Sequence, residues 1–192
     1  NSISIVTGIF VLLLSFAACD FDDDANPFRD CEDGSGAEIE KTLNMPEFTG
    51  INVDISADVY ITQGGEFQVL AKGEENIIDL LELDVQNDIW EIEFEDCVEN
   101  YDLELHITMP EITTLKISGS GTIFGENFFT VENIILRING SGEMDLGLNA
   151  EKIDAKISGS GEISLEGTAE DLEMKISGSG DLKAFPLVLE SC

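Results

Sequence analysis

The side chains that could do chemistry in this sequence are mostly carboxylates, and few of their usual catalytic partners accompany them. The 192 residues include 40 Asp and Glu, 9 Lys and Arg, and 1 His. A Ser-His-Asp triad would need that histidine, His106. It lies in the alternating run 103–108 (LELHIT), opposite the apolar side chains, so we expect an exposed strand residue rather than a general base.

Carboxylates clustered beside a basic residue or calcium would suit polysaccharide cleavage, but here they are dispersed along the chain. A carbohydrate-active β-helix enzyme of the lyase or hydrolase kind is kept as an alternative interpretation of the function. A second alternative is an envelope-associated accessory protein, which no feature of the sequence tests. No acidic run has the spacing of a calcium loop, and no cysteine pair has zinc-ligand spacing. We predict no enzyme activity, no catalytic residue, no metal and no cofactor.

The charge balance narrows the classes of partner. The net charge of −31 repels phosphate backbones and anionic lipid surfaces, which excludes nucleic acid as a partner. A surface ligand, either a glycan or a protein, fits better, and so does self-association. A solvated acidic face on a secreted protein remains the simpler interpretation of the charge.

Four of the basic residues share one position in a sequence repeat. The matching units are residues 115–124 (LKISGSGTIF), 136–145 (LRINGSGEMD), 155–164 (AKISGSGEIS) and 174–183 (MKISGSGDLK). On stacked strands their cations would form an outward ladder, which we name the basic ladder: Lys116, Arg137, Lys156 and Lys175. Thr122, Glu143, Glu162 and Asp181 would form a second, mainly acidic ladder. The basic ladder is a candidate binding surface; the alternative is charge balancing that keeps the stack soluble and in register.

The repeat spacing predicts the architecture that positions this ladder. The leading glycines Gly119, Gly140, Gly159 and Gly178 are 21, 19 and 19 residues apart, and a period near twenty is typical of a solenoid. Each unit holds two alternating runs, which predict strands. The Gly-Ser-Gly triplets between them predict corners, where glycine supplies a positive φ. The predicted corner glycines are Gly119, Gly121, Gly140, Gly142, Gly159, Gly161, Gly178 and Gly180.

The segment upstream of the repeats also alternates like β-structure. Residues 51–56, 59–62, 67–70 and 103–108 predict strands, and 89–94 predicts one arm of a hairpin after the turn at Asn87 and Asp88. Residues 76–81 predict a single helical turn. We expect Trp90 to be a core residue.

The N-terminus predicts export. Residues 3–14 (ISIVTGIFVLLL) are too short to span a bilayer and suit the apolar part of a signal peptide. Small residues then precede Cys19, in a pattern that resembles a bacterial lipobox although Phe16 departs from it. We predict a signal peptide at 1–18, lipidation at Cys19 and an acidic flexible tether over 19–36. The alternative is an ordinary secretory signal. The membrane would be contacted only through the lipid, and the acidic run 20–24 (DFDDD) resembles an export signal to the outer cell surface.

The remaining cysteines are Cys31, Cys97 and Cys192. In an exported protein Cys31 and Cys97 are candidates for a disulfide. Sequence alone leaves the pairing open, and Cys192 would be left without a partner within the chain.

The ordered motifs resemble the head GIN domain family of surface adhesins. They are residues 48–55 (FTGINVDI), 57–64 (ADVYITQG), 102–110 (DLELHITMP) and the ISGSG-like units. The resemblance covers about residues 37–192. It implies an all-β fold built as a right-handed parallel β-helix-like solenoid, and a non-catalytic adhesion role at the outer membrane or cell surface of Bacteroidetes-type bacteria. The repeats stop within a period at residue 192, so we expect further repeats beyond it and treat 37–192 as an incomplete domain.

Overall fold

The described residues are almost entirely β-structure. The computed structural model describes residues 31–184 and 187–189. The predicted signal peptide, the lipidation site Cys19 and Cys192 lie outside the described residues. The strands that precede the repeats are β1 (Glu32–Asp33), β2 (Glu38–Thr42), β3 (Gly50–Val53), β4 (Asp58–Gln63), β5 (Gln68–Glu74), β6 (Val85–Gln86), β7 (Ile89–Ile92), β8 (Val98–Glu99) and β9 (Leu103–Met109). One short helix, α1 (Glu75–Ile78), follows β5.

The repeat region forms longer strands that lie side by side. They are β10 (Thr114–Ile117), β11 (Thr122–Gly125), β12 (Phe129–Gly140), β13 (Glu143–Gly159), β14 (Glu162–Gly178), β15 (Asp181–Lys183) and β16 (Leu187–Leu189). Each strand pairs in parallel with the equivalent residues of the next repeat, so Lys116 lies beside Arg137, and Ile157 beside Ile176. The repeat length in the sequence is therefore the pairing register in the structure. The all-β class is confirmed.

Three columns of parallel strands run along this stack. The first column contains the strands before each Gly-Ser-Gly triplet: β7, β3, β10 and the C-terminal parts of β12, β13 and β14. The second column contains those after the triplet: β9, β4, β11, the N-terminal parts of β13 and β14, and β15. The third column joins the early part of β12, the middle of β13 and β14, and β16.

Alternation along each strand separates core from surface. In the first column Leu115 and Ile117 are fully buried while Lys116 between them is half-exposed. The predicted in-phase isoleucines are buried at Ile117, Ile138 and Ile157, but Ile176 is 39% exposed and Met174 49%. Within the described residues no strand pairs with the far side of 173–178, so side chains equivalent to buried ones meet solvent there.

The corner glycines are required for two different reasons. Gly159 has a φ of +135°, and a Cβ there would lie 2.2 Å from the carbonyl oxygen of Gly140. Gly161 has no positive φ, but its Cβ would lie 2.5 Å from the oxygen of Gly142. The predicted positive φ is therefore found at Gly140, Gly159 and Gly178. It is wrong for Gly119, Gly121, Gly142, Gly161 and Gly180. At the last four a Cβ would lie less than 3.0 Å from a neighbouring atom, and at Gly119 it would lie 3.1 Å from the oxygen of Asp54.

The strands that precede the repeats pair with both columns. Strands β2, β5 and β9 pair antiparallel, and β9 then pairs in parallel with β4 of the second column. Strands β6 and β7 form the predicted hairpin, with positive φ at Asn87 and Asp88. Trp90 is fully buried and its Nε1 donates to the oxygen of Glu82 at 2.8 Å, so the expected core role is confirmed.

The disulfide between Cys31 and Cys97 is present. It lies beside β1 and β8, which pair only with each other among the described strands. The bridge therefore joins a small two-stranded sheet and not the large one. It closes a loop with a sequence separation of 66, for which the chain-entropy model gives about 4 kcal/mol. Backbone bonds to Cys97 and Glu99 hold residues 32–34, while residues 19–30 of the predicted tether lie outside the described part.

Candidate binding surface

The basic ladder is one straight column of cations on adjacent strands. Lys116 pairs in register with Arg137, Arg137 with Lys156 and Lys156 with Lys175. Neighbouring strands are about 4.8 Å apart, so the ladder extends over about 14 Å. The structure thus brings together the four residues that the sequence selected. Lys116, Arg137 and Lys156 are half-buried and Lys175 is exposed.

Arg137 is held by its surroundings. Its guanidinium pairs with the carboxylate of Asp154 on the next strand, and Nη1 donates to the main-chain oxygen of Asp154 at 2.7 Å. The same nitrogen donates to the oxygen of Leu136 at 3.0 Å. The hydrogen bond from Arg137 lowers the pKa of Asp154 below its ordinary value. Arg137 is therefore a fixed, already partnered member of the ladder.

The three lysines of the ladder differ from every other described cation. No carboxylate of the described residues lies within 4.0 Å of Lys116, Lys156 or Lys175. The remaining described lysines all have an acidic partner, in the pairs Lys41–Asp79, Lys72–Glu104, Lys152–Asp171, Lys152–Glu173 and Lys183–Glu162. In a chain with 40 acids and 9 bases, lysines without an acid within 4.0 Å occur in one column of the described structure. The pKa of Asp154, which the hydrogen bond from Arg137 lowers most, is lowered further by the charge of Lys156.

The side chains in the columns beside the ladder are mostly uncharged. On one side lie the polar residues Ser118, Asn139, Ser158 and Ser177, at the next outward position of each strand. On the other side lie Thr114, Ile135, Asp154 and Glu173. On the four repeat strands, four cations thus lie among two carboxylates, so this part of the surface is more positive than the molecule as a whole. The column of the ladder continues through Asn52 to Glu91.

The second column carries an aromatic row that the sequence analysis did not identify. Phe124, Tyr60 and His106 lie in register on β11, β4 and β9. The ring centroids of Tyr60 are 4.8 Å from His106 and 5.1 Å from Phe124, with interplanar angles of 11° and 20°. The alternation of apolar and polar residues predicts an outward position for each ring, as stated above for His106. The rings lie next to one another because of the register between strands that are far apart in the sequence, and no sequence pattern predicts that register.

One carboxylate beside the aromatic row, Glu104, has two basic neighbours. Lys72 donates to Glu104 at 3.0 Å, and Nε2 of His106 is 3.5 Å from the same oxygen. The hydrogen bond from Lys72 lowers the pKa of Glu104, and the same bond raises the pKa of Lys72. A general acid at neutral pH needs a raised carboxyl pKa, so Glu104 is poorly suited to that role. It adjoins a shallow cavity of about 320 Å³ that also contacts Asp58, Tyr101 and Asp102.

Among residues 31–184 and 187–189, no group of three or more His, Cys, Asp and Glu side chains is placed to hold a metal ion. In the same part of the chain, none of the helical structure has the length and apolar character needed to cross a membrane.

Solved structures from Bacteroides and Parabacteroides have the same fold. A putative adhesin from Bacteroides fragilis NCTC 9343 is 25% identical, covers 81% of this chain and 74% of its own, and has a TM-score of 0.76. A putative adhesin from Parabacteroides distasonis ATCC 8503 is 22% identical, with coverages of 84% and 79% and a TM-score of 0.70. A protein from the same strain, described as a putative lipid binding protein, is 18% identical, with coverages of 81% and 76% and a TM-score of 0.61. The last two likenesses establish the fold alone.

Comparison with protein families assigns most of the chain to one family. The sequence finds no match among curated proteins. The family model described as "Putative auto-transporter adhesin, head GIN domain" matches residues 47–192, which is most of the chain and includes both the basic ladder and the aromatic row. The chain therefore belongs to the head GIN domain family.

Proposed function

We propose that this protein is a non-catalytic binding module that mediates adhesion at the cell surface. The observation that carries the proposal is the alignment of equivalent outward side chains across adjacent strands of the first column. A stack of hydrogen-bonded strands holds these groups rigidly, so a ligand can be bound over a large area with little ordering of the protein. The family and the adhesins of similar fold support the same role.

The finer architecture is part of the proposal. The three columns and their repeat-length register support a right-handed parallel β-helix that continues the same pattern along its axis. Such a stack would present the basic ladder on one flat side. The ladder would set the choice of partner more than the total affinity, since exposed charges contribute mainly to specificity and association rate.

The proposed location is the outer membrane or cell surface, where a lipid on Cys19 would anchor the protein. The apolar run 3–14 followed by small residues and Cys19 supports this. We expect Cys19→Ser to remove the protein from the membrane fraction of the native host, as measured by fractionation and immunoblotting. Retention of the variant in that fraction would contradict lipid anchoring.

The function is tested by exposing the purified full-length protein to an array of glycans and extracellular-matrix proteins, with mass spectrometry of each bound sugar. We expect saturable binding to at least one surface ligand, with the sugar recovered intact. Shortened or eliminated sugar products would instead establish a carbohydrate-active enzyme, for which the cavity beside Glu104 and Asp58 would be the first place to look. An absence of saturable binding to any array member would contradict the adhesion proposal.

A further inference from the structure

We propose that the basic ladder binds a linear glycan in which carboxylate-bearing sugars alternate with neutral ones. This inference rests on the proposed binding function and names both the site and the chemical class of its ligand. Its basis is the unusual state of Lys116, Lys156 and Lys175, which lack a carboxylate within 4.0 Å among the described residues.

The lysines point to an external anion because acidic side chains are abundant on this molecule. Five other described cations have an acidic partner: Lys41, Lys72, Arg137, Lys152 and Lys183. The three without one occupy equivalent positions on strands held in register. Charge balancing alone would pair lysines with nearby acids, as it does on the rest of the described surface. The ladder keeps its ammonium groups available.

The overall charge selects a ligand of low charge density. The chain carries −31, so a dense polyanion is repelled by the molecule as a whole before it reaches the ladder. Duplex DNA carries one phosphate per roughly 1.7 Å of its axis, which makes it a poor ligand here. A polymer with widely spaced carboxylates gains the local attraction of the ladder and suffers less repulsion from the surrounding acids.

The spacing of the free lysines suits such a polymer. Lys116 and Lys156 lie two strands apart, because Arg137 occupies the strand between them, and this corresponds to roughly 10 Å. That distance is close to the repeat of an extended disaccharide. Lys175 lies only one strand from Lys156, so these two lysines would share one sugar carboxylate. An extended peptide lying along the ladder would present same-side groups about every 7 Å, so its acidic side chains would not match the spacing of Lys116 and Lys156.

The neighbouring polar column supplies the groups that recognise sugar hydroxyls. Asn139 and Ser177 are exposed beside the ladder, and Ser158 is half-exposed between them. Hydroxyl and amide groups both donate and accept hydrogen bonds. Ser118 at the end of this column already donates to Asn52 at 3.0 Å. A glycan lying along the stack would therefore meet cations on one side and uncharged hydrogen-bonding groups on the other.

The test measures binding of the full-length protein to hyaluronan oligosaccharides, with chitin oligosaccharides of equal length as the neutral probe. We expect binding to the first and none to the second. The triple variant Lys116→Gln, Lys156→Gln, Lys175→Gln should bind hyaluronan roughly tenfold more weakly or worse, since it removes three charge contacts. The matched control is Lys41→Gln, Lys72→Gln, Lys183→Gln, which removes the same charge from paired positions and should change affinity by less than about threefold.

Several outcomes would overturn this inference. Equal losses in the two triple variants would show an effect of net charge and not of the ladder. Preference for polyglutamate, for vesicles containing anionic lipid or for a second copy in sedimentation experiments would assign the ladder to another partner class. Saturable binding of neutral glycans or matrix proteins alone would refute the ladder as a carboxylate site and leave the adhesion proposal standing. Failure to bind any array member would defeat both.

Discussion

The outward sides of the first and second columns of strands are built from the same repeats, but they differ in how their side chains are paired. On the second column the rings of Phe124, Tyr60 and His106 stack on one another. Lys72 beside this row and Lys183 at the other end of the column are both paired with acids. On the first column Arg137 is paired, whereas the ladder lysines have no acidic partner within the described residues. The described cations of the second column are paired within the molecule although carboxylates such as Asp145 are not, whereas the first column leaves three lysines without an acid within 4.0 Å.

This contrast separates two uses of an ordered column. Side chains repeated at the strand spacing can stabilise the stack by contacting each other, as the aromatic row does, because stacked rings fit a separation near 4.8 Å. Like charges at the same spacing repel each other and offer the stack no stabilisation. A column of unpaired lysines is therefore better explained by what it contacts outside the protein than by the folding of the repeats.

The largest expected effect comes from the corner that positions both columns. Gly159→Ala places a Cβ 2.2 Å from a backbone oxygen at a φ of +135°, and we expect it to lower the free energy of unfolding by about 3 kcal/mol. Gly36 has a φ of +103° with no atom within 4 Å of its Cβ, and Gly65 has neither constraint. Gly36→Ala should therefore cost about 1 kcal/mol and Gly65→Ala less than about 0.5 kcal/mol.

Chemical denaturation of the three glycine variants measures this order. Equal losses for Gly159→Ala and Gly36→Ala would mean that the corner relaxes to accept a side chain. In that case the columns would not be held rigidly by the glycine contacts, and the comparison between them would lose its structural basis.

A middle-sized effect is expected from the aromatic row. Tyr60→Ala removes the central ring and both of its stacking contacts, so we expect about 1–2 kcal/mol lower stability. Tyr60→Phe keeps the ring and is the matched control, with a near-neutral effect on thermal unfolding. If the row serves the stack, Tyr60→Ala leaves hyaluronan binding unchanged. A large loss of glycan binding with unaltered stability would instead make the second column the ligand surface.

The sequence allowed the repeats to be predicted far better than the region before them. Identical motifs at a constant period determine their own register, so the neighbours of Lys156 could be named without a structure. The upstream strands β4 and β9 share no motif, and their pairing depends on the packing of the whole domain. This is why the stacked rings of Tyr60 and His106 were missed although each was recognisable as an outward strand residue.

The sequence likewise does not show which lysines have an acidic partner in the folded protein. Lys152 and Lys156 are four residues apart, yet Lys152 lies 3.7 Å from Glu173 and Lys156 has no such partner among the described residues. The difference follows from which acids lie across from each lysine on the neighbouring strand. Composition indicates that pairing is common in so acidic a chain, but only geometry shows where it fails.

The smallest expected effect tests the one ladder cation that is already paired. Asp154→Asn removes the carboxylate that holds Arg137 and should free the guanidinium, so we expect hyaluronan affinity to rise roughly twofold. The pKa of Asp154 is lowered in the folded protein by its hydrogen bond from Arg137. A lowered folded pKa means that the stabilisation is present above the unfolded value and is lost as the pH falls through the folded one.

The Asp154→Asn variant should therefore be slightly less stable than the wild type near pH 7, and the difference should disappear in acid, below the ordinary carboxyl range. Thermal unfolding from pH 7 to pH 2.5 measures this convergence. Asp145→Asn is the control, because it makes the same chemical change on the second column, where no described cation pairs with Asp145. The difference in stability between this variant and the wild type should not show the pH dependence that the Arg137–Asp154 pair causes. A constant deficit for Asp154→Asn at all pH values would show that the carboxylate acts through packing. Arg137 would then be fixed by its backbone acceptors alone, and removing Asp154 would add no free cation to the ladder.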